Sequence, residues 1–221
     1  MKPDEPRPMP ECAETYANRY SVTNFINAYY QIRDCMEYQP TKVLLVGVGV
    51  GIEFILLKHR FNIDIITLDI DPGFRPDHVG SVHDLSRFKD KEFDLIIVSH
   101  VLEHMAFCYF EQSLKQIARV ATHAIIYLPY GGRHIEWVFR GLTRFSNIRM
   151  RVNLPPLKRI DGLKPVLCGK EHYWELGYMG FGLNRIRSII SKHFRIDKAY
   201  HNKDWSYSFN FCLTSKCGDT E

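Results

Sequence analysis

The chain has 221 residues, of which 45% are hydrophobic and 24% charged, and its formal net charge at pH 7 is +4. This composition excludes an intrinsically disordered chain, which carries fewer apolar residues and a larger charge excess. Glycines and Glu53 interrupt the longest apolar run before the roughly 20 residues that a membrane-spanning helix needs. The six scattered cysteines form no C-x-x-C pair, so we expect reduced thiols and a cytoplasmic protein.

Residues 1–14 are rich in proline, with four prolines among the first ten positions. Proline restricts the backbone and lacks an N–H, so no regular element is expected there. No apolar stretch follows the basic residues, which argues against a signal peptide. We therefore expect a disordered tail over 1–14 and a single domain over 15–221.

Helical and strand patterns alternate after this tail. Apolar residues recur at helical spacing in NFINAYYQIRDCME (24–37) and in MAFCYFEQSLKQIARVA (105–121). Four short apolar runs have the composition of strands that are buried on both faces, as in parallel sheets. These runs lie at 42–47, 63–69, 93–99 and 124–129. The alternation predicts an α/β fold with a doubly wound, mostly parallel sheet, whose ligands bind beyond the carboxyl ends of the strands.

The C-terminal part of the chain follows a different pattern. A helix is expected around LNRIRSIISKHF (183–194), followed by the strand-like FRIDKAY (194–200) and a turn at HNKD. From Trp205 to Leu213, large apolar residues alternate strictly with smaller, mostly polar ones. Such alternation after a short connection predicts an antiparallel C-terminal strand.

The first predicted strand is followed by three glycines, Gly47, Gly49 and Gly51, in KVLLVGVGVGIEF. Glycines at this place let the backbone turn sharply and bring its N–H groups close to a ligand. The dinucleotide-binding pattern G-x-G-x-x-G would require glycine at position 52, which is Ile52. The loop therefore differs from the NAD-binding loop, and the segments after it decide the cofactor.

Five segments in chain order resemble the class I S-adenosylmethionine-dependent methyltransferases, and the type 11 group among them. VLLVGVGVG resembles the glycine-rich motif I, and TLDID places Asp69 where the family has the acid that binds the ribose hydroxyls. GSVHDLSRF resembles the third-strand segment, FDLIIVSHVLEHM the segment after the fourth strand, and LPYGG the end of the fifth. The resemblance runs from about Lys42 to Gly131 and implies a Rossmann-like, seven-stranded sheet whose last strand is antiparallel.

The resemblance also implies S-adenosyl-L-methionine as the cofactor. The glycine loop would hold its methionyl and ribose side, Asp69 its ribose, and the third-strand segment its adenine, while the end of the fourth strand faces the sulfonium. A carboxylate suits a pair of neighbouring hydroxyls because it only accepts hydrogen bonds. The cofactor-binding residues implied in this way are Gly47, Val48, Gly49, Gly51, Asp69, Ile70, Val82, Asp84, Leu85, Ser99 and His100.

Two positions depart from the family pattern. The family commonly has an acid two positions before the first glycine, where this chain has Leu45. It often has Gly-Asp in the third-strand segment, where this chain has Gly80 and Ser81. Both departures leave the ribose acid in place. They support an alternative in which the domain keeps the fold and binds a ligand or partner without turnover.

His100, Glu103 and His104 form an H-x-x-E-H sequence directly after the fourth predicted strand. Zinc peptidases share this spacing, but methyltransferases place cofactor-lining residues at this strand end. The small-RNA 2′-O-methyltransferases resemble the segment and bind a divalent ion through E-x-x-E-H and a distant histidine, with an acid at the position of His100. We predict cofactor contacts and helix capping here, with no metal.

The acceptor side is predicted from two segments. GKEHYWELGYMGFG contains an HYWE element similar to that of bacterial and archaeal methyltransferase-like proteins of unassigned substrate. Either His172 serves the acceptor there, or Trp174 closes the sheet as a structural plug. With Tyr130 and His134 on the opposite lip, the predicted catalytic residues are His172, Tyr130 and His134. Residues 131–170 carry nine Lys or Arg against two acids, and RHIEWVFRGLTRF is predicted as an amphipathic helix in a basic lid over this range.

The sequence therefore predicts methyl transfer from S-adenosyl-L-methionine to a small anionic acceptor, with oxygen as the preferred nucleophile. A basic segment suits an anionic small-molecule partner, which we favour over nucleic acid and over a membrane surface. The alternatives are the inactive binding domain, a metal-dependent RNA 2′-O-methyltransferase and an NAD-dependent dehydrogenase. No pattern in the sequence identifies the acceptor or the oligomeric state.

Overall fold

The computed structural model describes residues 21–132, 134–139, 148–154 and 172–216. The tail predicted over 1–14 lies outside the described residues. Helices in this part of the chain are α1 (Val22–Glu37), α2 (Ile52–Ile55, continued by a wider turn over Leu56–Arg60), α3 (Phe110–Val120) and α4 (Leu183–His193). Within these ranges, none of the helices has the length and apolar character of a membrane span.

The strands, in chain order, are β1 (Lys42–Val46), β2 (Asp64–Asp69), β3 (His78–Val79), β4 (Phe93–Ser99), β5 (Ala121–Pro129), β6 (His134–Phe139), β7 (Ile148–Asn153), β8 (Phe194–His201) and β9 (Ser208–Ser215). One seven-stranded sheet has the order β3-β2-β1-β4-β5-β9-β8. Its first five strands pair in parallel, and β9 is antiparallel to both β5 and β8. The predicted α/β fold with a mostly parallel seven-stranded sheet and an antiparallel C-terminal strand is confirmed.

Helices cover both faces of this sheet. Leu44 and Val46 of β1 belong to a hydrophobic cluster that α3 and α4 cover, whereas Val43 and Leu45 belong to a second cluster that α1 covers. All four side chains are at most 3% exposed. A strand buried on both faces gives a continuous apolar run, which explains KVLLV. Each such side chain contributes about 1.5–3 kcal/mol by leaving water.

Two strands begin three residues away from the position expected from the sequence. The strand predicted at 124–129 begins earlier, at Ala121, directly after α3 ends. The last strand begins at Ser208 and not at Trp205. The reason is a turn, in which Oδ1 of Asn202 accepts hydrogen bonds from two successive backbone N–H groups, the second from Trp205, at 3.0 and 3.1 Å.

The prediction of an amphipathic helix in RHIEWVFRGLTRF is wrong. Residues His134–Phe139 form β6, which pairs antiparallel with β7 in a separate two-stranded ribbon. Ile135, Trp137 and Phe139 alternate along β6 and are 43–45% exposed. Alternation with a period of two is the spacing of a strand. The part of the predicted helix beyond Phe139 lies outside the described residues.

Candidate active site

A cavity of about 680 Å³ lies at the carboxyl ends of β1, β2 and β4. The strand order reverses between β1 and β4, and open α/β sheets bind their ligands in the crevice at such a point. Loops that follow the strands form its walls. The described residues that line it are Val46, Gly47, Gly49, Asp69, Ile70, Asp71, Phe74, Gly80, Ser81, Val82, His83, Ser99, His100, Val101, His104, Met105, Ala106, Tyr109 and Tyr173.

Glycine keeps the loop after β1 open. Gly47, Gly49 and Gly51 have φ angles of 79°, 51° and 74°, a conformation that other residues rarely adopt. A Cβ on Gly47 would lie 2.6 Å from Cγ2 of Val101, so this position needs glycine for space as well. The N–H of Gly47 donates to the carbonyl of Leu68 (2.8 Å), which fixes the loop against the end of β2. The loop therefore borders the cavity without filling it.

Asp69, the last residue of β2, lines the cavity and is 8% exposed. Its Oδ2 accepts a hydrogen bond from the N–H of Val48 (2.8 Å), and its Oδ1 accepts one from the N–H of Asp71 (2.9 Å). These contacts fix the carboxylate, and each oxygen has a further lone pair for a donor in the cavity. A fixed pair of acceptors matches the two neighbouring hydroxyls of a ribose.

The two departures from the family pattern lie in different environments. Leu45 is 1% exposed and packs in the core below the cavity, with Ile65 and Ile97 in the same cluster. Ser81 lines the cavity, and its hydroxyl lies 2.7 Å from Nδ1 of His83. The wall therefore keeps a polar group at position 81, while position 45 contributes to the core.

The three residues predicted beside adenine separate in the structure. Val82 lines the cavity, whereas Leu85 is fully buried in the core. Asp84 is exposed, and hydrogen bonds from Ser86, including its backbone N–H at 3.1 Å, lower the pKa of the Asp84 carboxyl. Neither Asp84 nor Leu85 is among the described residues that line the cavity. His83, which the sequence analysis missed, lines it instead.

Ser99 and His100 form the wall at the end of β4. His100 has a left-handed backbone conformation (φ 54°), and its N–H donates to the carbonyl of Tyr127 (3.0 Å). Its ring centroid lies 5.0 Å from that of Trp205, and its Nε2 lies 3.3 Å from Oγ of Ser208. His100 therefore connects the cavity to the aromatic turn before β9.

The HYWE element contributes both to the core and to the wall of the cavity. Trp174 is fully buried, and its ring packs edge-on against Phe107 with 5.1 Å between ring centroids. Tyr173 is 61% exposed and lines the cavity. Its N–H donates to the carbonyl of Glu103 (2.8 Å), which holds the element beside the end of β4. The tryptophan is thus a structural plug, and its neighbour belongs to the site.

The three predicted catalytic residues are not among the described residues that line the cavity. His172 adjoins it, because its ring centroid lies 4.7 Å from that of His104, a lining residue. The ring of Tyr130 packs against His201 beyond the end of β5, with 4.5 Å between centroids. His134 lies at the start of the ribbon, with Nδ1 3.3 Å from the carbonyl oxygen of Gly132.

Part of the wall that follows β4 was not predicted from the sequence. Met105, Ala106, Tyr109 and Tyr173 line the cavity beside His104, for whose segment cofactor contacts were predicted. The first three could have been predicted, because they come soon after a strand whose carboxyl end was expected at the site. The residues around Tyr173 gave no signal in the sequence, because a loop far along the chain brings Tyr173 to the wall of the cavity.

The sheet order and the cavity at its reversal point agree with a Rossmann-like fold of the methyltransferase type. Residues 44–124 match the family described as "Methyltransferase domain". This stretch contains the glycine loop, Asp69 and the end of β4, which are the parts that form the cavity. The match covers less than half of the chain, so it supports a methyltransferase-like domain around the cavity, and the order of the sheet is the one expected of the Rossmann-like methyltransferase fold.

Solved structures share this fold at low sequence identity. The PH0226 protein of Pyrococcus horikoshii OT3 has a TM-score of 0.57 and 17% identity, over 91% of this chain and 96% of that one. The 1,6-didemethyltoxoflavin-N1-methyltransferase of Burkholderia thailandensis, solved with 1,6-didemethyltoxoflavin and S-adenosylhomocysteine, has a TM-score of 0.57 and 12% identity, over 96% and 92%. A Haloferax volcanii chain solved with a methyltransferase activator has a TM-score of 0.55 and 12% identity, over 91% and 92%. No curated protein sequence matches this chain.

Proposed function

We propose that this chain transfers the methyl group of S-adenosyl-L-methionine to an oxygen atom of a small anionic acceptor. The observation that carries the proposal is the fixed carboxylate of Asp69 beside a glycine loop, in a cavity at the reversal point of the sheet. A dinucleotide is disfavoured because Ile52, at the first position of α2, stands where the third glycine of the dinucleotide pattern would be.

Methyl transfer from a sulfonium is an in-line displacement. A lone pair of the acceptor oxygen forms the new C–O bond, the C–S bond breaks, and its electron pair goes to sulfur to give S-adenosylhomocysteine. The protein contributes chiefly by aligning the two reactants, which is worth about 7–11 kcal/mol. A hydroxyl acceptor must also lose its proton to a base, and this typically adds a factor of 10² to 10⁴.

The acceptor side is assigned to the wall that His100, His104 and Tyr173 form. The two histidines come from the turn after β4, whereas Asp69 ends β2, and the N–H of Tyr173 is bonded to the carbonyl of Glu103 in that turn. His172 is kept as an acceptor-side residue because its ring contacts His104. Tyr130 and His134 receive no role. The positive charge between residues 131 and 170 supports an anionic acceptor. Most of the lid predicted over this range lies outside the described residues.

The test is a transfer assay with methyl-labelled S-adenosylmethionine and a panel of small molecules that carry hydroxyl, carboxylate, phosphate or amine groups. We expect label in hydroxyl- or carboxylate-bearing anions. The variant His172→Gln should lower kcat and leave the affinity for S-adenosylhomocysteine unchanged, while His59→Gln, at an exposed position after α2, should change neither. Label in amines alone would contradict the oxygen preference. No transfer to any compound, with the cofactor bound, would favour the inactive binding domain.

A further inference from the structure

Glu103 is a fully buried acid whose carboxylate oxygens have no hydrogen-bond partner among the described residues. A buried carboxylate without a partner is unfavourable, because it has lost its water and gained nothing in exchange. Buried charges in proteins are paired or bind metal ions. The residue lies directly after β4, in the short turn Leu102–His104 that borders the cavity. Its carboxylate therefore requires an explanation that the cofactor site does not give.

Three imidazoles surround this carboxylate. One ligand atom each from Glu103, His104 and His172 can be chosen so that all three lie within 4.8 Å of one another. Nε2 of His172 lies 3.9 Å from Oε1 of Glu103. Nδ1 of His100 lies 3.4 Å from the same oxygen. Such a set of nitrogen and oxygen atoms can converge on one cation at ordinary coordination distances.

A second carboxylate holds His172 in the orientation that a metal ligand needs. Nδ1 of His172 lies 2.8 Å from Oε1 of Glu175, which is 1% exposed. The hydroxyl of Tyr207 donates to the same oxygen (2.7 Å). Because an ionised carboxylate only accepts hydrogen bonds, Nδ1 carries the proton and Nε2, on the side of Glu103, carries the lone pair. Metal-binding histidines are typically held in this way by a carboxylate behind the ring.

We propose that Glu103, His104 and His172 bind one divalent first-row transition-metal ion. This proposal replaces the expectation from the sequence that the segment holds no metal. Two imidazoles with one carboxylate favour Zn²⁺, Co²⁺, Mn²⁺ or Fe²⁺, whereas Mg²⁺ and Ca²⁺ prefer oxygen ligands alone. Tyr173, whose N–H is bonded to the carbonyl of Glu103, brings the HYWE element to the site and thereby completes the ligand set.

The ion would lie on the acceptor side of the cavity, since His100 and His104 both line it. A site with three protein ligands leaves coordination positions open. On the basis of the proposed function, these positions would take an acceptor with two neighbouring oxygen donors, such as a diol or a hydroxy acid. A metal-bound hydroxyl loses its proton more readily. The resulting oxygen would attack the methyl carbon as the C–S bond breaks, with the released proton passing to water.

The test measures metal binding by the whole, chelator-treated chain, separately from any activity. Calorimetric titration with Zn²⁺, Co²⁺ and Mn²⁺ should give one site per chain, and Co²⁺ should produce visible absorption bands of a nitrogen- and oxygen-ligated ion. Mg²⁺ and Ca²⁺ should bind at least tenfold more weakly. Glu103→Gln should weaken Zn²⁺ binding at least tenfold. Glu111→Gln is the matched control, because Glu111 also has a histidine within reach, His193 at 3.4 Å, but lies half-exposed on α3 and has no third ligand near it among the described residues.

Thermal unfolding keeps the test decisive if a variant is poorly folded. Zn²⁺ should raise the melting temperature of the wild type and of Glu111→Gln, but not that of Glu103→Gln or His104→Gln. Without metal, Glu103→Gln should melt no lower than the wild type, because it removes a buried charge whose oxygens accept no hydrogen bond from the described residues. Absence of a stoichiometric site, or equal Zn²⁺ affinity in wild type and Glu103→Gln, would overturn the proposal. Titration of S-adenosylhomocysteine into the same proteins tests the cofactor site separately. A chain that binds S-adenosylhomocysteine but no Zn²⁺ would overturn the metal site and leave the proposed function standing.

Discussion

Gly47 is the single position where the glycine loop has no tolerance for a side chain. It combines a φ angle of 79° with a Cβ position 2.6 Å from a methyl group of Val101. We predict that Gly47→Ala lowers the free energy of unfolding by about 2–4 kcal/mol, the combined cost of a left-handed alanine and of overpacking. Urea denaturation followed by circular dichroism measures this change.

The matched control for that substitution is Gly182→Ala. Gly182 precedes α4 with a φ angle of −65°, and a Cβ there would meet nothing within 4 Å. Alanine is a poorer helix cap than glycine, but the expected loss is below about 1 kcal/mol. Equal losses in the two variants would show that the loop is not constrained as described.

Single residues of the site differ in how far the sequence could predict them. Asp69 and the glycines were predictable because the end of a strand fixes where their groups point. Asp84 was not, because a local turn directs it into solvent. The meeting of Glu103 and His172 was also beyond prediction, since a loop from a distant part of the chain makes that contact, and no local spacing encodes it.

Among the elements, α1 is fixed to the sheet by a buried carboxylate. Asp34 is fully buried, and its Oδ2 accepts hydrogen bonds from the hydroxyls of Tyr127 on β5 (2.5 Å) and Tyr200 on β8. Arg33 lies beside it, with Nη2 2.6 Å from Oδ1. One side chain of α1 thereby links two strands that are far apart in the sequence.

We predict that Asp34→Ala lowers the free energy of unfolding by about 3 kcal/mol, because the buried hydroxyl of Tyr127, the half-buried hydroxyl of Tyr200 and the guanidinium of Arg33 lose this acceptor. Asp34→Asn should cost less, since an amide oxygen still accepts one donor. Val22→Ala, on the same helix at a side chain that is 75% exposed, should cost under about 0.5 kcal/mol. Chemical denaturation compares the three variants, and a loss below 1 kcal/mol for Asp34→Ala would refute the anchoring role.

The elements themselves were predictable to different extents. The central strands were recognised because burial on both faces leaves a run of apolar residues, such as LIIV at 95–98 within FDLIIVS, the segment that matches β4 (Phe93–Ser99) residue for residue. The β6–β7 ribbon was not recognised, because a short apolar segment fits a helical stripe and a strand alternation equally well. The pairing of His134–Phe139 with Ile148–Asn153 selects the strand over the helix. This pairing joins separate parts of the chain, so the local sequence does not reveal it.

For the whole molecule, buried acidic groups predict a loss of stability at high pH. Burial raises the pKa of the Cys35 thiol to about 12, and burial together with a hydrogen bond to Asp204 raises the pKa of the Tyr30 hydroxyl to about 12. The folded state therefore favours the protonated forms of Cys35 and Tyr30. As the pH rises, the unfolded chain loses these two protons at a lower pH than the folded chain does. The free energy of unfolding should fall as the pH rises from about 9 towards 12.

Urea denaturation at about pH 8, 9.5 and 11 measures this dependence. Cys35→Ala should be less stable than the wild type at pH 8 because it leaves a small cavity, but its stability should fall less steeply with pH. A wild-type stability that stays constant between pH 9 and 11 would contradict the prediction, as would an equal slope in the variant.

The central claim for the whole molecule is that its cavity binds an adenosyl cofactor through the carboxylate of Asp69. Calorimetric titration of S-adenosylhomocysteine into the wild type, Asp69→Asn and Asp64→Asn tests it most directly, because Asp64 lies exposed at the opposite end of the same strand. We predict one site per chain in the wild type and in Asp64→Asn, at least about tenfold weaker binding in Asp69→Asn, and no binding of NADH. No binding by the wild type, or equal binding by Asp69→Asn, would contradict the claim.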